Sequence, residues 1–112
     1  MQDRAGFTQL IRCAKNGDFE NCCKLLKANA NLHICDNGGW TSLHIACSQK
    51  YSDIVELMIS HGANVNARTN TGSTPLHEAA SSGCEKSVRA LLEAGANVNS
   101  RNKKGKSAID LC

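Results

Sequence analysis

The chain repeats itself every 33 residues, and this period constrains its fold more than any other feature of the sequence. Equally spaced positions carry the same kind of residue: Gly6, Gly39, Gly72 and Gly105; Leu10, Leu43, Leu76 and Ile109; Thr8, Thr41, Thr74 and Ser107. A period of this length is typical of stacked supersecondary units, each burying its apolar face against the next. One domain, 1–112, is therefore expected, with units one to four at about 3–35, 36–68, 69–101 and 102–112, the fourth partial.

The third unit contains the run Thr74-Pro75-Leu76-His77-Glu78-Ala79, and the second contains the related Thr41-Ser42-Leu43-His44. The period and this motif resemble the ankyrin repeat. Unit one lacks the Pro and His of the motif, and unit four stops at Cys112 in what should be its first helix. The resemblance implies an all-α repeat solenoid of stacked helix-turn-helix units with projecting hairpin loops.

Local residue chemistry independently predicts the first helix of each unit. Thr74 can cap a helix because its hydroxyl accepts a hydrogen bond from a backbone N–H that the helix start leaves unpaired. Pro75 suits the first helical turn, where no backbone N–H donor is needed. We expect a short helix from about Pro75 to Ser81, with the break at Gly83.

A second, amphipathic helix is predicted by the apolar spacing of unit two, where Ile54, Val55, Met58 and Ile59 recur between polar residues. Gly62 and Gly95 follow such helices at the position that favours a left-handed C-cap.

The two ends of the stack are expected to differ. Unit one carries Arg12, Lys15, Lys24 and Lys27, as a polar-faced cap would, whereas no second helix follows Cys112. We expect either that the chain is part of a longer protein, or that a partner or a frayed end covers the last interface.

The histidines and cysteines have structural explanations in the repeat frame. His44 and His77 share one position, where a neutral imidazole can connect backbone groups across a repeat junction, while His33 and His61 fall in a loop and at a helix end. Cys13, Cys22, Cys47 and Cys112 align with Ala or Val positions and are predicted to fill the core. Cys23, Cys35 and Cys84 align with charged residues or Tyr51 and are predicted to be more exposed.

No enzyme, metal or cofactor chemistry is predicted. The sequence has no GxSxG, no GxxxxGK[ST] and no CxxC pair. No apolar run is long enough to span a membrane or to resemble a signal peptide. An odd count of seven cysteines without paired spacing favours a reducing compartment, the cytosol or the nucleus.

Partner binding is the function that the resemblance implies, on the concave surface of hairpin tips and first helices. The positions that the repeat leaves free give the candidate site residues Phe7, Arg12, Trp40, Ile45, Arg68, Glu78 and Arg101. Trp40 and Phe7 would be apolar anchors, the two arginines at 68 and 101 would take carboxylates or phosphates, and Glu78 would take a cation. Trp40 could instead simply pack on its own hairpin, and this alternative stays open.

The expected partner is another protein or peptide, and the charge distribution suggests an acidic one. The whole net charge of +3 lies in residues 101–112, where four basic residues oppose Asp110. Two alternatives remain: a nuclear reader of histone tails within a larger regulatory protein, and nucleic-acid binding through the basic tip. The sequence favours neither, because the basic tip is small and poor in aromatics, and a lysine-rich tail needs an acidic groove.

Overall fold

A computed structural model describes the backbone of residues 4–107 and the side chains of residues 9–107. This part of the chain forms six helices and no strand, which confirms the predicted all-α repeat solenoid. In chain order they are α1 (Arg4–Asn16), α2 (Phe19–Lys27), α3 (Ser42–Ser48), α4 (Ser52–Ser60), α5 (Pro75–Ser82) and α6 (Glu85–Glu93). The expected helix of unit four lies outside the described residues.

The helices form two layers. The first helices α1, α3 and α5 pack side by side in one layer, and the second helices α2, α4 and α6 pack in the other. Within each unit the first helix also packs against the second. This arrangement places the loops that join successive units in a row along one edge of the stack.

Threonine caps begin the first helices of units two and three. The hydroxyl of Thr41 accepts from the backbone N–H of His44 at 3.3 Å, and that of Thr74 accepts from the N–H of His77 at 3.2 Å. Pro75 lies in the first turn of α5, as predicted. Each cap satisfies one of the backbone donors that a helix start leaves unpaired.

The turn between the two helices of a unit requires a left-handed backbone residue. Gly17, Lys50 and Gly83 occupy this position, with φ of +71°, +66° and +76°. The break predicted at Gly83 is confirmed, and so are the left-handed glycines after the second helices, Gly62 at +89° and Gly95 at +94°. Unit two places a lysine where units one and three have glycine.

The core runs continuously between the layers. Leu10, Leu43 and Leu76 share one repeat position and are at most 2% exposed. The apolar stripe predicted on α4 is confirmed at Ile54 and Met58, which are fully buried. The stack is therefore held together by burial of the same positions in successive units.

For the six cysteines that it describes, the structure confirms most of the predicted environments and corrects one, while Cys112 lies outside the described residues. Cys22 and Cys47 are buried, Cys35 is exposed, and Cys23 and Cys84 are partly exposed. Burial raises the pKa of Cys22 to about 12 and raises that of Cys47 as well. Cys13, predicted to fill the core, is partly exposed instead. The equivalent Ala46 is fully buried because unit two has a neighbour on each side.

The two end faces of the described stack differ in polarity. A concavity of about 340 Å³ between α1 and α2 is lined mainly by polar side chains, among them Arg12, Asn21 and Lys24. At the opposite end, a groove of about 530 Å³ between α5 and α6 contains Val88 and Leu92. Leu92 is 42% exposed, whereas Leu26 at the same repeat position is 3% exposed. The polar N-terminal face matches the predicted cap.

Candidate partner-binding surface

Three loops of the same shape project from the stack at residues 36–40, 69–73 and 102–106. In each, the N–H of the first residue donates to the carbonyl of the last: Asp36 to Trp40 at 3.0 Å, Thr69 to Ser73 at 2.9 Å and Asn102 to Lys106 at 2.9 Å. The side-chain oxygen of the same first residue accepts from two further amides, as Asn102 does from Lys104 and Lys106. These internal bonds make every loop a narrow, preorganised hairpin.

Backbone hydrogen bonds also join each loop to the next. The N–H of Asn70 donates to the carbonyl of Gly38 at 2.9 Å, and the N–H of Lys103 donates to that of Thr71 at 2.8 Å. The side-chain Nδ2 of Asn70 also donates to the Asn37 carbonyl at 2.9 Å. We call this connected row of three loops the loop ladder. Main-chain hydrogen bonds fix the spacing between successive loops, so side chains that take no part in such links can differ from loop to loop.

The buried histidines fasten the helices to the loop ladder. His44 Nε2 lies 3.0 Å from the carbonyl oxygen of Ser73, and His77 Nε2 lies 2.9 Å from that of Lys106. The Nδ1 atoms accept from the backbone N–H groups of Thr41 and Thr74. Because those amides only donate and the carbonyls only accept, both rings are neutral with the proton on Nε2. The predicted junction role of the histidines is confirmed.

His44 is fully buried, and this burial lowers its pKa, although hydrogen bonds to the backbone act in the opposite direction. A protonated ring would place an N–H of its own against the amide of Thr41. Burial and the hydrogen bond from Thr41 therefore both favour the neutral imidazole over the charged one.

Trp40 is half-buried at the last position of the first loop. Its ring lies 5.8 Å from the ring of His44, centroid to centroid, at an interplanar angle of 58°. The indole also covers Gly38, where a Cβ atom would lie 3.2 Å from Cδ1. The Nε1–H donates to no acceptor among the described residues. Because no fully buried polar side-chain atom of these residues lacks a partner, this nitrogen is at least partly exposed to solvent. Trp40 thus combines packing on its own unit with an accessible edge.

The two candidate arginines are exposed and are oriented by backbone carbonyls. The Arg68 guanidinium donates to the carbonyl of Arg101, which lies one repeat further on. Arg101 Nη1 donates to the carbonyl of Gly105 at 2.9 Å. A guanidinium has five N–H donors, so each side chain retains donors for a ligand.

Glu78 and Ile45 occupy the same repeat position in different environments. Glu78 is partly exposed, and its Oε2 accepts from the Ser73 hydroxyl at 2.6 Å. Ile45, predicted to lie on the exposed face, is 7% exposed and belongs to the core cluster. This burial removes Ile45 from the accessible candidate surface.

The remaining candidates do not extend the loop ladder. Arg12 is exposed, but it lines the polar concavity between α1 and α2. The side chain of Phe7 lies outside the described residues. The described candidates that the structure brings together are therefore Trp40, Glu78, Arg68 and Arg101, along units two and three.

Exposed residues at the ends of the first helices were not among the predicted binding residues. Lys15, Gln49 and Ser81 are exposed there. The signal that could have found them is variability: the position of Lys15 carries serine in the next two units. The lysines of the third loop, Lys103 and Lys104, were counted only as net charge.

Neither a cluster of metal-ligating side chains nor a membrane-spanning helix is found among the described residues. They contain no group of three or more His, Cys, Asp or Glu side chains able to hold a metal ion. No helix within the same residues has the length and apolar character that crossing a bilayer requires.

Comparison with known proteins identifies the repeats. A family model of ankyrin repeats, in three copies, matches residues 10–102. Protein phosphatase 1 regulatory subunit 27 of Homo sapiens is 46% identical over 59 residues, which are 52% of this chain and 38% of that protein. SH3 and multiple ankyrin repeat domains protein 1 of Homo sapiens is 42% identical over 52 residues, 46% of this chain and 2% of that protein.

A third relative is named as a ribonuclease. The 2-5A-dependent ribonuclease of Homo sapiens is 41% identical over 54 residues, 47% of this chain but only 7% of its own length. The chain thus spans less than half of each of these relatives, and the likeness is one of repeats. The chain belongs to the ankyrin-repeat family, whose repeats are protein–protein interaction modules.

Proposed function

We propose that this chain binds an extended segment of a partner protein along the loop ladder and the adjoining first helices, without chemistry of its own. The observation that carries the proposal is the row formed by Trp40, Ser73 and Lys106. The carbonyl of each closes its own loop, but their side chains are a half-buried indole, a buried hydroxyl that donates to the partly exposed Glu78, and an exposed ammonium. A rigid backbone that carries unlike side chains at one position is suited to selecting one partner over another.

The charge of the loops favours an acidic segment over a lysine-rich histone tail. Of the loop residues 36–40, 69–73 and 102–106, only Asp36 is acidic. We place the binding reaction in the cytosol or the nucleus, and the support is that the described cysteines are free thiols, two of them buried in the core.

Affinity capture with the whole chain tests the proposal. The wild type, Trp40→Ala and a control, Glu56→Ala, are immobilised, and captured proteins are compared by quantitative mass spectrometry. Glu56 is exposed on α4, in the layer opposite the first helices. We expect at least one protein to be retained by the wild type and the control and depleted about tenfold or more by Trp40→Ala. Capture that is equal on all three baits would place the binding surface elsewhere.

A further inference from the structure

Two neighbouring loops carry five cationic side chains and no acidic one. Residues 66–73 contribute Arg68, and residues 99–107 contribute Arg101, Lys103, Lys104 and Lys106. All five are exposed. Within the described part of the chain none of them lies within 4.0 Å of a carboxylate. The described residues therefore place no carboxylate close enough to neutralise the positive charge of this region.

The backbone holds this charge in place. Lys103 donates its N–H to Thr71 in the neighbouring loop, and the carbonyl of Lys106 accepts from the His77 ring. The guanidinium of Arg68 reaches the Arg101 carbonyl, so the two loops are joined by a side chain as well. A ligand that binds here does not need to order the loops first, and preorganisation of this kind lowers the cost of binding.

The other end of the same row is apolar, and its centre is weakly acidic. Trp40 presents a half-buried indole in unit two. Between it and Lys106 lies Ser73, whose hydroxyl donates to Glu78. The row therefore changes from apolar to weakly acidic to strongly basic over two repeat steps.

The distance between successive units determines how far apart the matching apolar and acidic groups must lie in the ligand. Packed helices lie about 8–10 Å apart, so two steps cover about 16–20 Å. An extended peptide advances about 3.3 Å per residue. In the ligand, about five to six residues would therefore separate a side chain that packs on Trp40 from one that lies beside Lys106.

We propose that the loop ladder binds an extended, carboxylate-rich segment of a partner protein. An aromatic or aliphatic side chain of this segment packs on Trp40. Its Asp or Glu residues lie about five to six positions away, against Arg101 and the lysines of the third loop. Glu78 disfavours an acidic residue at the midpoint of the segment and accepts a neutral or basic one. This inference rests on the proposed function and specifies the chemistry of the partner.

The test is selection of random 16-residue peptides, displayed on phage, with the whole chain as bait. We expect enrichment of peptides with clustered Asp or Glu and an apolar residue at the stated spacing. The best peptide is then synthesised, and its Kd is measured by fluorescence anisotropy. Charge reversal by Lys103→Glu with Lys104→Glu should weaken binding about tenfold or more.

A matched control carries the same change in charge elsewhere. Lys24→Glu with Lys27→Glu reverses two exposed lysines on α2, in the layer opposite the first helices, and should change the Kd by less than about twofold. Equal losses in both double variants would mean that only net charge matters and would overturn the proposal. Shortening the segment between the apolar and acidic residues by three positions should weaken binding about tenfold. An unchanged Kd would contradict the role of Trp40 in the same site.

Two further outcomes separate this inference from the proposed function. Selected peptides without acidic residues, together with protein capture that depends on Trp40, would leave partner binding in place and overturn the charge assignment alone. Tighter binding of a 12-nucleotide single-stranded DNA than of any selected peptide, with no Trp40-dependent capture, would overturn both.

Discussion

Lys50 and Gly83 occupy the same repeat position and share one left-handed backbone conformation, with φ of +66° and +76°. For glycine this conformation carries no steric cost, whereas a side chain with a Cβ atom is strained there by about 1–2 kcal/mol. Among the described residues, the exposed side chain of Lys50 has no hydrogen bond or ion pair that would offset the strain. Lys50 therefore makes the protein less stable than it would be with glycine at this position, as in units one and three.

Replacing Lys50 with glycine should stabilise the protein. We expect a gain of up to about 1 kcal/mol in the free energy of unfolding, because relief of strain outweighs the extra entropy that glycine gives the unfolded chain. Urea denaturation should show a higher midpoint with an unchanged slope. Lys50→Ala keeps the strain and should leave stability nearly unchanged, while Gly83→Ala should lower it. A lower midpoint for Lys50→Gly would contradict this account.

Acid should destabilise the fold partly through His44. Burial lowers the pKa of His44 in the folded state below its ordinary value of 6.5, so the unfolded chain binds more protons as the pH falls. The stability contributed by the neutral ring is complete above about pH 6.5 and is lost progressively below it. Thermal unfolding between pH 7.5 and 5 should therefore show a falling melting temperature.

Substitution of single histidines checks the source of the acid effect. His44→Gln should lower the melting temperature at pH 7.5 and reduce its dependence on pH, since the titrating ring is gone. His33→Gln, at an exposed loop position, should retain the wild-type pH dependence. If both variants retain it in full, His44 does not contribute to acid unfolding.

Thiol reactivity should follow burial. Cys22 and Cys47 should react slowly with iodoacetamide in the native state, because both are buried and burial raises their pKa values, for Cys22 to about 12. Only the thiolate reacts at an appreciable rate. Exposed Cys35 should react first, and partly exposed Cys13 at a rate between these. Timed alkylation read by mass spectrometry gives the order, and equal rates for Cys22 and Cys35 in the folded protein would contradict the buried positions.

Trp40→Ala should weaken partner binding more than it weakens the fold. Loss of the contact with His44 should lower the free energy of unfolding by about 1 kcal/mol, typical of an aromatic pair. Loss of an interface anchor can cost about 2 kcal/mol or more, roughly thirtyfold in Kd. A urea titration beside a binding titration with the captured partner separates the two effects. If the variant loses stability but the folded fraction binds with unchanged Kd, Trp40 is a packing residue alone.

Crowding the indole without removing it gives a finer test of the same site. Gly38→Ala would bring a Cβ atom to 3.2 Å from Cδ1 of Trp40, so the ring must shift by a few tenths of an ångström. We expect a measurable change in tryptophan fluorescence and weaker binding of the partner, with only a small loss of stability. Unchanged fluorescence and Kd would show that the position of the ring is not critical.

The repeat period predicted those features that depend on one unit alone. The helix starts at Thr41 and Thr74 and the left-handed Gly83 follow from residue chemistry within a single unit. These features need no knowledge of what lies beside the unit, and all of them are present in the structure.

Features that depend on the neighbours of a unit were predicted less well. Alignment of Cys13 with Ala46 predicted burial, but the described structure places no unit before α1 to cover Cys13. Ile45 was predicted to be exposed from its alignment with Arg12 and Glu78, yet it packs in the core between two units. The links between loops were not predictable either, because the bond from Asn70 to Gly38 joins backbone atoms that every sequence has.

The hydrogen bonds from His44 to Ser73 and from His77 to Lys106 end on main-chain oxygens. Any amino acid at position 73 or 106 supplies the same acceptor, so the joint between units is indifferent to the side chain displayed there. Substitutions at these positions therefore leave the acceptors of the two histidine bonds in place, whatever they change in the packing around the buried Ser73. In evolutionary terms the architecture separates inheritance of the joint between units from diversification of exposed side chains such as Lys106.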